Sequence, residues 1–147
     1  MENLVAFAEM LVEGKVLSPT ERGHIIEHIE DRVRSGPRYL ALYRMTARLL
    51  DRLSGNRFAT LDLRERTEVM VRHRLTPDDV GTREYLVPSH RQELAVRALA
   101  VPDLIEGYYR SPAGWAVVAY GAFPGRCSDL IRYTRAEPKR PGLHGEK

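Results

Sequence analysis

Cysteine and tryptophan are almost absent from this chain of 147 residues, which contains one of each. A single cysteine excludes a disulfide within the chain and any zinc or iron–sulfur site built from several cysteines. Its apolar runs are far shorter than the roughly 18 residues that a membrane-spanning helix needs, so we expect no direct membrane insertion. The first residues lack the pattern of a secretory signal. We therefore expect a cytoplasmic protein, or a periplasmic one if the chain is a processed mature form.

Positive and negative charges balance over most of the chain, although its net charge is +3. Six of the 23 basic and three of the 20 acidic residues follow residue 125, which leaves 17 of each sign in residues 1 to 125. A neutral body disfavours tight binding to duplex nucleic acid, so we expect no nucleic-acid partner. We predict a single helical domain over residues 1–125. Residues 126–147 are predicted to form a basic tail that is disordered until a partner binds it.

Helical periodicity dominates the remaining sequence. Two capping boxes, Ser18 with Glu21 and Asp62 with Glu65, predict helix starts, and Gly36 before a proline predicts a helix end. No segment shows the alternation of a half-buried strand. The sequence therefore predicts an all-α fold, an irregular helical bundle of five to seven helices with an extended aromatic-rich C-terminal segment.

Three of the predicted helices have distinctive patterns. In the first, Leu4, Phe7 and Leu11 recur at helical spacing, which predicts a short amphipathic segment. Pro102 interrupts a later helix and should kink or split it. The helix predicted from about residue 38 has its apolar side chains on one face. Its arginines lie mostly on the other face: Arg38, Arg44, Arg48 and Arg52.

Two patterns allow other interpretations of function. The motif HIIEH, from His24 to His28, has the spacing of a zinc peptidase helix, with Glu27 available as a base. A stand-alone metal-dependent enzyme using these three residues is one alternative, although it would need a further carboxylate and a substrate cleft. The arginines of the helix from Arg64 to Arg74 could contact phosphates. A helical nucleic-acid-binding regulator is therefore the second alternative.

Residues 107–129, GYYRSPAGWAVVAYGAFPGRCSD, concentrate aromatic rings among glycines and prolines. The stretch cannot form one regular element, and little core remains for its rings to join near the end of a small chain. Aromatic residues and arginine are enriched in buried protein interfaces. We therefore predict a surface that docks a partner protein. The candidate partner-binding residues are Phe58, Tyr108, Tyr109, Trp115, Tyr120, Phe123, Arg126 and Tyr133.

Three segments resemble the gluconate 2-dehydrogenase subunit 3 family, the small helical subunits of membrane-associated sugar and polyol dehydrogenases. They are LSPTER (17–22), FATLDLRERTEVMVRHRL (58–75) and LIEGYYRSPAGWAVVAYGAFPG (104–125). The resemblance spans roughly residues 17–125, and most of its specificity lies in the last segment. Members of this family accompany a large flavoprotein of the glucose–methanol–choline oxidoreductase type, which holds FAD. A cytochrome c subunit often completes the assembly.

The resemblance implies that this chain is a non-catalytic, chaperone-like small subunit that aids the folding, stability or export of an FAD-dependent dehydrogenase. It implies no cofactor in this chain, because FAD belongs to the partner. Phe58 matches the family's apolar plug, and Tyr108, Tyr109, Trp115 and Tyr120 match its terminal segment; none is catalytic there. The twin-arginine export signal common in the family is not found at the start of this sequence. Stabilisation of the partner is therefore the expected role.

Overall fold

The computed structural model describes residues 1–12, 14–76 and 91–117, which form helices and connecting turns with no strand among them. The elements are α1 (Glu2–Val12), α2 (Pro19–Ser35), α3 (Pro37–Ser54), a 3-10 turn (Phe58–Thr60), α4 (Leu63–Arg72), α5 (Arg91–Ala95), a π-helical segment (Val96–Ala100), α6 (Val101–Tyr109) and α7 (Pro112–Val117). The predicted all-α fold is confirmed. Within the described ranges, no helix combines the length and the apolar character needed to cross a membrane.

Some predicted features lie outside the described residues. They include the domain boundary after residue 125 and the basic tail of residues 126–147. Half of the candidate partner-binding residues lie there too: Tyr120, Phe123, Arg126 and Tyr133. The roles of these residues stay predictions.

Both capping boxes predicted from the sequence are confirmed. At the start of α2, the Ser18 hydroxyl accepts from the Glu21 N–H at 3.3 Å, and Glu21 Oε2 accepts from the Ser18 N–H at 2.7 Å. The hydrogen bonds from Ser18 hold the pKa of Glu21 below its ordinary value. Asp62 and Glu65 exchange equivalent bonds of 2.8 and 2.9 Å at the start of α4. Gly36 separates α2 from α3, as its position before a proline predicted.

The first helix is enclosed by the rest of the chain. Every residue of α1 from Asn3 to Glu9 is buried, and α2, α3, α4, α6 and the 3-10 turn all contact this helix. The Phe7 ring meets the Phe58 ring edge to face, with 6.3 Å between their centroids. The predicted amphipathic character is wrong over this stretch. A helix that is apolar around most of its circumference is stable only when neighbours cover it from several sides.

The chain stays helical from Arg91 to Tyr109 but changes its pitch before Pro102. Proline lacks an N–H, and its ring clashes with the carbonyl four residues earlier in a regular helix. The preceding turn therefore widens into the π-helical segment, in which the Val101 N–H donates to the carbonyl of Val96. The irregularity predicted at Pro102 is present, but as a wider turn, and the helix is not split.

Candidate functional site

The end of α6 forms one wall of the core and leads into α7. The side chains of Leu104 and Tyr108 are wholly buried. The Tyr108 ring lies edge to face against Tyr109, with centroids 5.4 Å apart, and its hydroxyl donates to Glu21 Oε1 at 3.2 Å. Tyr108 therefore ties the last turn of α6 to the first turn of α2.

The short helix α7 lies against the end of α6 by direct backbone contact. Ser111 caps it, since its hydroxyl accepts from the Gly114 N–H at 3.2 Å, and Pro112 begins the helix as predicted. A Cβ atom at Gly114 would lie 2.4 Å from the carbonyl oxygen of Tyr108 and 2.6 Å from the Cα atom of Tyr109. Only glycine permits this approach, so the position of α7 depends on the absence of a side chain there.

The side chain that α7 exposes most distinctively is Trp115, the only tryptophan of the chain. Its side chain is 49% exposed, and Val117 is also exposed. Tryptophan is usually well buried in monomeric proteins. A tryptophan held this far into solvent on a capped helix has the features of an interface residue.

The eight candidate partner-binding residues have different surroundings in the structure. Phe58 and Tyr108 are wholly enclosed in the core of this chain, so they have no exposed surface to offer a partner. Tyr109 is half-buried and Trp115 is exposed. Within the described residues, the candidate docking surface therefore consists of Tyr109 and Trp115.

A buried carboxylate at the start of α6 was not identified from the sequence. The Asp103 side chain is 9% exposed and lies between α2 and α3. The Tyr43 hydroxyl donates to its Oδ2 atom, and His28 Nε2 lies 3.2 Å from the same oxygen. Arg32 Nε lies 2.7 Å from Oδ1 as an ion pair, without the alignment of a hydrogen bond. Four polar side chains from three helices thus converge on one point.

The electrostatics of this cluster follow from burial and from the negative charge of Asp103. Burial raises the pKa of Tyr43 most, and the hydrogen bond to Asp103 raises it further. Burial alone would lower the pKa of Arg32, but the carboxylates of Asp103 and Glu106, together with Tyr39, raise it overall. Arg32 Nη2 also contacts Glu106 Oε2 at 3.0 Å. The guanidinium compensates the buried negative charge, as a carboxylate away from water requires.

The imidazole of His28 packs against α6 at a glycine. A Cβ atom at Gly107 would lie 2.6 Å from the ring, so a larger residue there would displace it. In contrast, Glu27 of the same motif is 76% exposed, and its Oε2 atom lies 3.7 Å from His24 Nδ1. The HIIEH motif is therefore divided between the interior and the surface. Residues 1–12, 14–76 and 91–117 contain no group of three His, Cys, Asp or Glu side chains that could hold a metal.

A second buried carboxylate, Glu9 of α1, was also missed. Its side chain is 1% exposed, and Arg66 Nη1 lies 2.9 Å from its Oε2 atom. Arg22 Nη1 lies 3.3 Å from Oε1, which also accepts from the Leu17 N–H at 3.3 Å. The sequence feature that could have indicated this buried carboxylate is the glutamate inside the apolar run LVAFAEMLV. The guanidinium of Arg66, on the helix considered for phosphate contacts, is thus directed into the protein.

Comparison with models of protein families, with curated proteins and with solved structures finds no match for this chain. The resemblance to the small dehydrogenase subunits is therefore a prediction from the quoted segments. The structural features that bear on function are the exposed Trp115 of α7, the two buried ion clusters and the exposed face of α3.

Proposed function

We propose that this chain is a non-catalytic small subunit that binds and stabilises an FAD-dependent dehydrogenase of the glucose–methanol–choline type, acting on a sugar or glycoside. The exposure of Trp115 carries this proposal. The resemblance of residues 17–22, 58–75 and 104–125 to small dehydrogenase subunits supports the choice of partner. In this proposal FAD and the chemistry belong to the partner, which in some assemblies also binds a cytochrome c subunit.

The way in which α7 is attached supports a binding role for Trp115. The Ser111 cap and the close approach at Gly114 hold the helix in place, so the indole is presented from an ordered backbone. A side chain that is already positioned loses less conformational entropy when a partner covers it. Covering the exposed parts of Trp115 and Tyr109 would contribute a few kcal/mol, at about 25 cal/mol per Å² of apolar surface.

Co-purification with a co-expressed flavoprotein of the glucose–methanol–choline type from the same organism tests the proposal. Trp115→Ala combined with Tyr109→Ala should reduce recovery of the flavoprotein with the tagged chain by about tenfold or more, since interface aromatics commonly contribute over 1 kcal/mol each. Leu99→Ala is the matched control, because Leu99 is an exposed apolar side chain outside α7. It should leave recovery unchanged, and far-UV circular dichroism should show the same helicity for all variants.

A second measurement follows Trp115 directly. Because the chain contains one tryptophan, incorporation of 5-fluorotryptophan places a single ¹⁹F label in it. Addition of the unlabelled flavoprotein should shift this resonance and protect it from a soluble paramagnetic quencher. Normal co-purification of the double variant, or an unchanged resonance in the presence of excess flavoprotein, would contradict the proposal.

A further inference from the structure

The outer face of α3 carries a row of arginines. Arg44, Arg48 and Arg52 are all exposed and recur every four residues, so they lie on one side of the helix about 6 Å apart along its axis. Arg52 Nη2 donates to Gln92 Oε1 of α5 at 2.8 Å. Within the described chain, neither Arg44 nor Arg48 contacts a carboxylate.

The one acidic residue of α3 does not compensate this row. Asp51 Oδ1 accepts from the Asn3 side-chain amide at 2.7 Å and from the Phe58 N–H at 2.8 Å, so it is engaged on the inner side of the helix. Exposed arginines on α2 and α4, in contrast, pair with carboxylates three or four residues away on their own helices. Arg34 pairs with Asp31 at 2.7 Å, for example. The α3 row is therefore a local concentration of positive charge on a body that is neutral over residues 1–125.

A groove of about 540 Å³ runs beside these arginines, between α3 and the start of α5. Its floor is apolar and is formed by Ala41, Met45 and Leu49, while Gln92 lines its other side. Met45 is half-buried and Leu49 is buried, so the floor is continuous with the core. Methionine adapts its shape to different apolar partners, which suits a binding surface.

We propose that this groove, named here the α3 groove, docks an acidic amphipathic helix of a protein partner. Apolar side chains of that helix would cover Ala41 and Met45, and carboxylates spaced four residues apart would pair with the arginines. Arginine binds carboxylates in a bidentate manner, and docking of an amphipathic helix into an apolar groove is a common mode of peptide recognition. The site shares no residue with the candidate docking surface of Tyr109 and Trp115, and it does not depend on the proposed flavoprotein partner.

The apolar floor favours a protein over a nucleic acid. A phosphate backbone would satisfy the arginines but would leave Ala41 and Met45 without apolar contacts. The row is also short, about 12 Å from Arg44 to Arg52 at 1.5 Å per residue, whereas tight duplex binding uses many phosphate contacts. A helix with one acidic and one apolar face matches both the charge and the floor of the groove.

A labelled synthetic peptide tests this proposal with the full-length protein. The probe is a peptide of about 15 residues, long enough for measurable helicity, with glutamates four apart beside a leucine face. A peptide of the same composition in scrambled order is its control. Fluorescence anisotropy should show saturable binding of the amphipathic peptide only, weakened by salt because exposed charges are screened.

Charge reversal then locates the binding site. The triple variant R44E/R48E/R52E should lose about tenfold or more in affinity, since each reversal replaces an attractive contact by a repulsive one. The triple variant R34E/R57E/R72E changes the net charge equally at exposed arginines away from the groove, and it should bind within about twofold of the unmodified protein. Met45→Gln should weaken binding without a change of charge, which separates the floor from the arginine row.

Several results would overturn the proposal. Equal binding of the scrambled peptide, or equal losses in both triple variants, would mean attraction by net charge alone. Tighter binding of a DNA duplex than of the peptide, abolished by R44E/R48E/R52E, would assign the groove to nucleic acid. Failure of the folded full-length chain to bind the peptide would mean that no such helix docks there, including the case in which another part of the chain occupies the groove.

Discussion

The helices α1 and α7 have similarly apolar sequences but opposite surroundings. Each residue of α1 from Asn3 to Glu9 is buried, whereas Gly114 is the buried residue of α7. The first helix is long enough to contact several neighbours on all sides, and the second rests on the end of α6, where Gly114 makes a close approach to the backbone. The difference shows that apolar composition does not by itself decide burial. The number of neighbours that the fold places around a helix decides whether it supports the core or presents side chains outward.

The interior and α7 also differ in how their polar side chains are paired. The enclosed part of the molecule contains two buried carboxylates, Glu9 and Asp103, and each contacts at least one arginine. An unpaired charge in such surroundings would cost several kcal/mol, so removing one partner should lower the free energy of unfolding strongly. Among the residues that the structure describes, no comparable network holds the Trp115 ring on α7, so changes there should affect binding more than stability.

The largest expected effect is that of Glu9→Ala. The substitution leaves Arg66, whose side chain is 10% exposed, buried beside an empty site, and should lower the free energy of unfolding by about 3–5 kcal/mol. Urea unfolding followed by circular dichroism measures this. Adding Arg66→Met should recover part of the loss, because an apolar pair avoids the unpaired charge. A loss below about 1 kcal/mol for Glu9→Ala would mean that Arg66 finds another partner or water.

The next largest effect is expected from loss of the hydrogen bond between Tyr43 of α3 and Asp103 of α6. Tyr43→Phe removes the hydroxyl that donates to Asp103 and should cost about 1–3 kcal/mol at neutral pH, because the carboxylate loses a donor. Urea unfolding measures this loss, with Tyr39→Phe, at a residue one helical turn earlier, as the control. A stability equal to that of the unmodified protein would contradict the role assigned to this hydrogen bond.

The pH dependence of this variant follows from the raised pKa of Tyr43 in the folded protein. The stabilisation by Tyr43 is complete below the ordinary tyrosine pKa of about 10, and it is lost as the pH rises because the unfolded chain ionises first. The difference in stability between the unmodified protein and Tyr43→Phe should therefore shrink above about pH 10. Urea titrations at several alkaline pH values measure it, and a difference that grows with pH would mean that the sign is wrong.

The smallest effect on overall stability is expected from Gly114→Ala. Its Cβ atom would displace α7 from the end of α6, but few interior contacts would be lost, so the unfolding free energy should fall by about 1 kcal/mol or less. The fluorescence of Trp115 and its access to iodide should nevertheless change clearly. Gly23→Ala in α2 is the control, since its Cβ meets no atom within 4 Å and helix propensity predicts a gain of about 0.5–1 kcal/mol. An unchanged Trp115 signal in Gly114→Ala would show that the close approach does not position α7.

Local features were predictable because their causes lie within a few residues. The capping boxes at Ser18 and Asp62 involve partners three residues away, and the stripe of α3 follows from helical spacing. The polar clusters were not predictable in this way. Asp103 meets Tyr43 and His28 across 60 and 75 residues of sequence, so their contact depends on how three helices pack.

The candidate docking surface was predictable from the sequence only in part. Its rings were identified from the sequence, since aromatic crowding in residues 107–129 is a local pattern. Packing decided which of them are accessible: Tyr108 closes the core, while Trp115 two turns later stays exposed because α7 touches its neighbour at a glycine.

The sequence alone determined where the helices that begin at capping boxes start, and that the described chain is all-α, because hydrogen bonding and side-chain spacing along one helix are short-range properties. Only the tertiary structure decided that α1 is surrounded, that Glu9 and Asp103 are buried ion-pair partners, and that the arginines of α3 border an open groove. Those outcomes depend on the arrangement of helices distant in sequence, since burial and charge pairing are properties of what surrounds a side chain.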